Sequence, residues 1–139
     1  MATSLLPLGG AHWVDHVARH AAVRPEGVAI RFEDRSITWS GLADRVGRLA
    51  GAMAERGVGP GDRVAILMLN RPEFVEATIA ANRLGAIAVP VNFRLVPAEI
   101  AYGLDDSGAA LIVSDATLAP LAAGALGDLG RPVPLLVAG

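Results

Sequence analysis

Cysteine and lysine are both missing from this 139-residue chain. Without cysteine there is no disulfide framework and no thiolate metal site, a pattern that suits the cytoplasm. Without lysine there is no amine for a Schiff base and no ammonium to hold phosphate as a point charge, and all 12 basic residues are arginines. They are dispersed along the chain and outnumbered by 14 acidic residues, for a net charge of −2. A nucleic-acid surface needs a basic stripe, so that class of partner is excluded. Long apolar runs are missing too. A membrane span requires about 18 or more uninterrupted residues, whereas LGAIAVPVNF and ATLAPLAAGALG are shorter and broken by Pro or Gly. No transmembrane segment is expected. The opening MATSLLPLGGAHW has no positive n-region, which argues against a secretory signal and for a cytoplasmic location.

Apolar side chains are abundant instead: 53% of residues are hydrophobic and only 19% charged, against about 25% charged for an average soluble protein. The mean hydropathy is +0.45. Two physical causes fit. Parallel strands covered by helices are apolar on both faces, and a chain that packs against further polypeptide keeps apolar surface for it. The length suits one domain with a real core, residues 1–139, and no internal linker divides it.

Periodicity gives the order of elements. Trp13, Val17 and Ala21 stand at helical spacing within a helix over His12 to Ala22. The stretch VAIRFEDRSITW alternates on either side of Glu33-Asp34-Arg35 and reads as a β-hairpin. Leu42, Val46, Leu49 and Met53 mark a helix from about Ser40 to Arg56, with Thr38 or Ser40 as its cap and Gly57 just past its end. Strand VAILML, a helix near Pro72 to Leu84, strand AIAVPV, a helix near Pro97 to Asp106, strand ALIVS, a helix from about Thr117 and strand PLLVA follow. Gly124 to Pro134 reads as a connection of small residues. Strand and helix in alternation imply an α/β layered, mostly parallel sheet with right-handed crossovers, preceded by a helix and a hairpin. Pro90 removes a ladder donor, so its strand should end there or lie at an edge.

The glycines of GVGPGDR, residues 57 to 63, invite a phosphate-loop reading. A phosphate loop places its glycines after a strand and before a helix, where free helix N–H groups face the anion. Here they follow a helix and precede a strand. The order is inverted, and Pro60-Gly61 reads as a tight turn.

Ligands of such a sheet gather at the carboxyl ends of its strands. Three stretches fall there: Asn70-Arg71-Pro72-Glu73, Asn92-Phe93-Arg94 and Ser114-Asp115. Asn70, Asn92 and Arg94 are the candidate ligand or packing residues. For Asn70 the preferred reading is a helix cap with Glu73 as return partner, and Glu73 and Glu76 suit the first helical turn. A guanidinium at Arg94 could grip a carboxylate or phosphate, but a salt bridge to Glu99, Asp105 or Asp106 competes. His12, His16 and His20 recur every four residues and share a helix face, yet nothing completes a metal set, so an exposed stripe is the default. Asp105-Asp106 are adjacent helix residues that point apart, so they form no shared-proton dyad. No catalytic residue and no metal site is expected.

Longer stretches carry a resemblance. From about Pro25 to Asp115 the chain resembles the start of the AMP-forming adenylate synthetases, which include acyl-CoA synthetases and peptide-synthetase adenylation domains. ITWSGL resembles the family's L-T-Y-x-E-L motif, and NRLGAIAVPVN its L-K-A-G-x-A-Y-V-P motif. LNRPEF and VNFRLVPAEIAYGLDDSGA look more like the acyl-CoA synthetases. Gly41 replaces the first motif's Glu, so the reciprocal cap with Thr38 is lost, and Gly103 falls inside a helix, at a cost of about 1 kcal/mol relative to Ala.

The resemblance implies an enzyme that activates a carboxylic acid with ATP and Mg²⁺ to an acyl-adenylate and passes it to coenzyme A. It also implies that the family's phosphate loop, ribose-binding Asp, hinge and adenylating lysine lie downstream, so this chain holds no cofactor itself. The expectation is then the N-terminal part of a fatty-acid-type acyl-CoA synthetase, an incomplete domain whose partner is the rest of the enzyme and which alone is structural and inactive. Two alternatives stand beside it: a stand-alone or self-associating interaction module, and a piece of a peptide-synthetase adenylation domain.

Overall fold

The computed structural model describes residues 12–139. The opening stretch read for a secretory signal falls, through residue 11, outside the described residues. Helix α1 (Trp13–Val23) begins one residue later than expected because His12 caps it, its Nδ1 accepting the Val14 N–H at 3.2 Å. Strands β1 (Val28–Phe32) and β2 (Arg35–Thr38) pair antiparallel as a separate hairpin.

Helix α2 (Trp39–Glu55) buries Leu42, Val46, Ala50 and Met53, one stripe at spacings of three and four. Thr38 caps it, its hydroxyl accepting the Gly41 N–H at 3.1 Å. Half of the capping box therefore survives without the Glu. Gly57 takes a left-handed φ of 87° past the helix end, and Gly61, at φ 81°, completes the turn opened by Pro60. GVGPGDR is thus a helix-to-strand connection, as its order implied.

The main sheet contains β3 (Arg63–Leu67), β4 (Ile87–Pro90), β5 (Leu111–Ser114) and β6 (Leu135–Val137), all parallel, in the order β4-β3-β5-β6. Helices α3 (Pro72–Arg83), α4 (Pro97–Ser107) and α5 (Ala119–Asp128) supply the crossovers. Successive β3 side chains point to opposite faces: Val64 and Ile66, with Met68 just past the strand, join α2 and α3, while Ala65 and Leu67 join α4 and α5. Both faces are buried, which is why the run is apolar without alternation. Each fully buried Leu or Ile side chain contributes about 1.5–3 kcal/mol.

One expectation fails. Of the connection expected over Gly124 to Pro134, the part from Gly124 to Asp128 is helical, because α5 runs on to Asp128, and only residues 129–134 link it to β6. Its small residues serve close packing: Ala122 and Ala125 are fully buried, and a Cβ at Gly124 would meet Pro97 Cγ of α4 at 3.4 Å. The carboxyl end of α4 closes on Gly108 in the left-handed region, φ 64°. Two arginines satisfy its last carbonyls, Arg63 donating to Ser107 O at 2.8 Å and Arg131 to Leu104 O at 2.9 Å.

Candidate functional site

The chain leaves β3 for β4 on one side, then crosses to β5 on the other. Strand order reverses between β3 and β5, so their carboxyl ends bound the crevice where a sheet of this kind takes ligands. Residues 68–71 and 115–118 form its two rims.

Asn70 lies exposed on the first rim and does not cap α3. The cap position belongs to Arg71, and no side chain bonds there. Asn92 turns its Oδ1 back to accept the Arg94 N–H at 3.0 Å, which shapes the loop after β4. Arg94 forms none of the expected ion pairs; its guanidinium sits 5.8 Å from the Phe93 ring centroid. The acids proposed for it are engaged elsewhere, Glu99 accepting the Val96 N–H at 3.1 Å and Asp105 facing Arg131 at 3.6 Å. Asp106 has no ion pair among the described residues. The histidine stripe is not simply exposed either: His12 caps α1 and His20 packs on Trp39 with ring centroids 4.5 Å apart. Among the described residues no group of His, Cys, Asp and Glu could hold a metal.

A charge cluster stands where the sequence reading saw only first-turn glutamates. Glu73 and Glu76 are 2% and 3% exposed, on the same buried stripe of α3 as Ala77 and Ala80. Charges so buried require partners. Arg71 Nε donates to Glu73 Oε2 at 2.7 Å, Arg35 of β2 to Glu73 Oε1 at 3.2 Å, and Arg45 of α2 to Glu73 Oε1 at 3.5 Å. Arg45 also grips Glu76 with two bonds, 2.6 and 3.1 Å. Burial pushes the Glu73 carboxyl up, but bonds from Arg71, its own backbone N–H and Arg35 outweigh it and hold the group below the usual glutamate range. The bond to Glu76 raises Arg45, and the bond to Glu73 raises Arg71, so both stay cationic.

The last acid, Asp115, is fully buried at the end of β5. Its Oδ2 accepts the Leu69 N–H at 3.0 Å and its Oδ1 the Leu118 N–H at 2.9 Å, with Arg71 Nη1 4.0 Å away. Three arginines thus face three carboxylates from β2, α2, α3 and the two rims. Such an arrangement fixes elements against one another and leaves none of its carboxylates free as a base. Its signal in the sequence was the pair Glu73 and Glu76 at the i, i+3 spacing of a buried stripe.

A parallel α/β/α sandwich with this strand order defines the class, and sequence comparison defines the family. Residues 17–137 match the AMP-binding enzyme family, and the chain belongs to it. It is 41% identical over 112 residues to a feruloyl-CoA synthase of Amycolatopsis sp, which covers 78% of this chain and 23% of that protein. A medium/long-chain-fatty-acid–CoA/3-oxocholest-4-en-26-oate–CoA ligase of Mycobacterium marinum is 34% identical over 122 residues, covering 87% of this chain and 22% of that one. The fold superposes on an anthranilate CoA ligase in complex with anthranoyl-AMP with a TM-score of 0.85 and 30% identity, over 96% of this chain and 26% of that one. The chain therefore spans about a quarter of the length of these relatives, within their N-terminal portion. It is related to acyl-CoA ligases.

Proposed function

We propose that this chain is the opening α/β/α layer of an AMP-forming acyl-CoA ligase acting on a fatty or related carboxylic acid. The enzyme would join the acid to AMP at the expense of ATP, with Mg²⁺, and pass the acyl group to coenzyme A in the cytoplasm. The observation that carries this reading is the superposition over 96% of the chain on a coenzyme A ligase. Within such an enzyme the chain serves as scaffold against which the substrate-binding polypeptide packs.

The residues present do not fit a nucleotide site of their own. GVGPGDR lies on the wrong side of a helix to cradle phosphate, the chain has no lysine, and the charges beside the crevice are matched internally. Arg94, exposed at the end of β4 with no ion pair among the described residues, is the group best suited to meet an anionic part of a substrate held by other polypeptide.

Pyrophosphate release tests the reading, measured with ATP, coenzyme A and a panel spanning medium- and long-chain fatty acids, ferulate and hydroxybenzoates. The whole reading frame that encodes this chain should release pyrophosphate with at least one acid, and the 139-residue chain alone should not. Turnover by the chain alone, or silence of the whole product with every acid, overturns it. The carrier-protein alternative predicts acyl transfer to a phosphopantetheine arm instead of free coenzyme A.

A further inference from the structure

The switch-point crevice is the place in this fold where an anionic ligand meets backbone N–H groups. In this chain one such group on each rim is already taken. Leu69 N–H comes from one rim and Leu118 N–H from the other, and both donate to the same buried carboxylate, that of Asp115, at 3.0 and 2.9 Å. A carboxylate has acceptor positions on both oxygens and can bridge two donors that face each other across a gap. Asp115 follows β5 directly, so its backbone is fixed by the ladder, whose last β3–β5 pair is Leu67↔Ser114. The acid is therefore anchored on one strand and reaches the loop that leaves its neighbour. Arg71 Nη1, 4.0 Å from Oδ2, supplies the nearby positive charge and belongs to the rim being held.

We propose that Asp115 is the positioning residue of the crevice: its carboxylate stands where a ligand anion would otherwise bind and sets the spacing of the two rims. The crest of this chain then presents a fixed surface, with Asn70 on one rim and Thr117 on the other, and its Leu69 and Leu118 amides are closed to any phosphate or carboxylate. This inference stands on the fold and its hydrogen bonds, and it would survive failure of the ligase reading.

Asparagine and alanine at position 115 test it. Asp115→Asn keeps one acceptor but turns an NH₂ toward the other amide, so one of the two bonds is lost to a clash of donors. Amide hydrogen exchange, read residue by residue in the 139-residue chain, should show Leu69 or Leu118 exchanging at least about tenfold faster, while amides within β3 and β5 keep their protection. Asp115→Ala should expose both amides and leave a space the size of a small carboxylate. Sodium formate should then raise its melting temperature and restore protection at Leu69 and Leu118, where sodium chloride at equal ionic strength does not, and should leave the unsubstituted chain unchanged. A carboxylate that merely fills space would not be replaced by formate in this selective way. Unaltered exchange at both amides in both variants overturns the proposal, as does formate acting no differently from chloride on Asp115→Ala.

Discussion

Arginine 45 offers the sharpest test of the charge cluster. Glu76 has a side chain only 4% exposed, and both of its oxygens are bonded to Arg45, at 2.6 and 3.1 Å. Arg45→Met keeps most of the apolar stem and removes the fork, so the loss falls on the charge rather than on packing. Removing one partner of a fully buried pair costs about 3–5 kcal/mol, because the other charge is left desolvated. Arg45 is 37% exposed, however, and water can enter where its guanidinium was. That screening lowers the expected cost to about 2–3 kcal/mol. For a domain of this size it corresponds to a fall in melting temperature of roughly 6–12 °C.

Urea unfolding at neutral pH of Arg45→Met, Glu76→Leu and the double variant closes the cycle. The double variant should regain most of the loss and lie within about 1 kcal/mol of the parent, since two apolar side chains replace a pair whose desolvation was itself costly. If Arg45→Met costs less than about 0.5 kcal/mol, or if the two losses simply add, Glu76 is solvated and the cluster is no more than a set of surface contacts.

Three further outcomes follow from individual groups. The Glu73 carboxyl is depressed when folded, so the stability it contributes is complete above the unfolded value near 4.5 and is lost as pH falls through the lower folded value. Unfolding free energies measured from pH 7 downward should stay flat to about pH 5 and then decline, and Glu73→Gln should remove part of that decline; an identical acid limb in both proteins contradicts the assignment. Gly103→Ala should stabilise by up to about 1 kcal/mol, because it lies in the interior of α4 and a Cβ there meets nothing within 4 Å. Gly108→Ala should destabilise by more than about 1 kcal/mol, since its φ is 64° and a Cβ would fall 2.5 Å from an Arg63 nitrogen; thermal melts that rank the two glycines the other way refute the cap geometry.

What could be read from the chain beforehand follows a physical division. Burial on both faces leaves a continuous apolar run, so VAILML announced a central strand, and Gly57, Gly85 and Gly108 marked helix ends because only φ above zero closes them comfortably. Small residues misled, since Gly and Ala permit either a loop or close approach of two helices, and only the presence of Pro97 opposite Gly124 decides which. The site was less legible. Asn70 and Glu73 satisfied the spacing of a capping pair, a local rule, while the actual fate of Glu73 is set by Arg35 and Arg45, 38 and 28 residues away. Long-range charge pairing has no local signature. A glutamate on an otherwise apolar helical stripe is the nearest thing to one, and it announces that a partner must exist without saying which.

The excess of apolar residues had two explanations, and the structure assigns most of it to the first, since helices of this chain cover both faces of the sheet. Some exposed apolar surface remains at the edges, Ile87 on β4 at 53% and Val137 on β6 at 48%. The two edges differ in their backbone. Ile87 donates to Asp62 O just before β3 and Val91 to Ile66 O within it, so the backbone amide positions of Ala88 and Pro90 face outward, and Pro90 has no N–H to offer. On β6, Ala138 donates to Ser114 O, which turns the amides of Leu135 and Val137 toward the free edge. Of the two edges of this sheet, β6 is therefore the one that, among the described residues, presents two alternate outward donors to an added strand, whether from further polypeptide or from a second copy. Pro90→Val should open the closed edge as well, and sedimentation velocity of that variant should show stronger self-association than the parent. Val137→Lys should weaken whatever association the parent has, because a charged edge resists pairing. If Pro90→Val sediments as the parent does, the proline is not what closes β4, and the difference between the two edges has no consequence in solution.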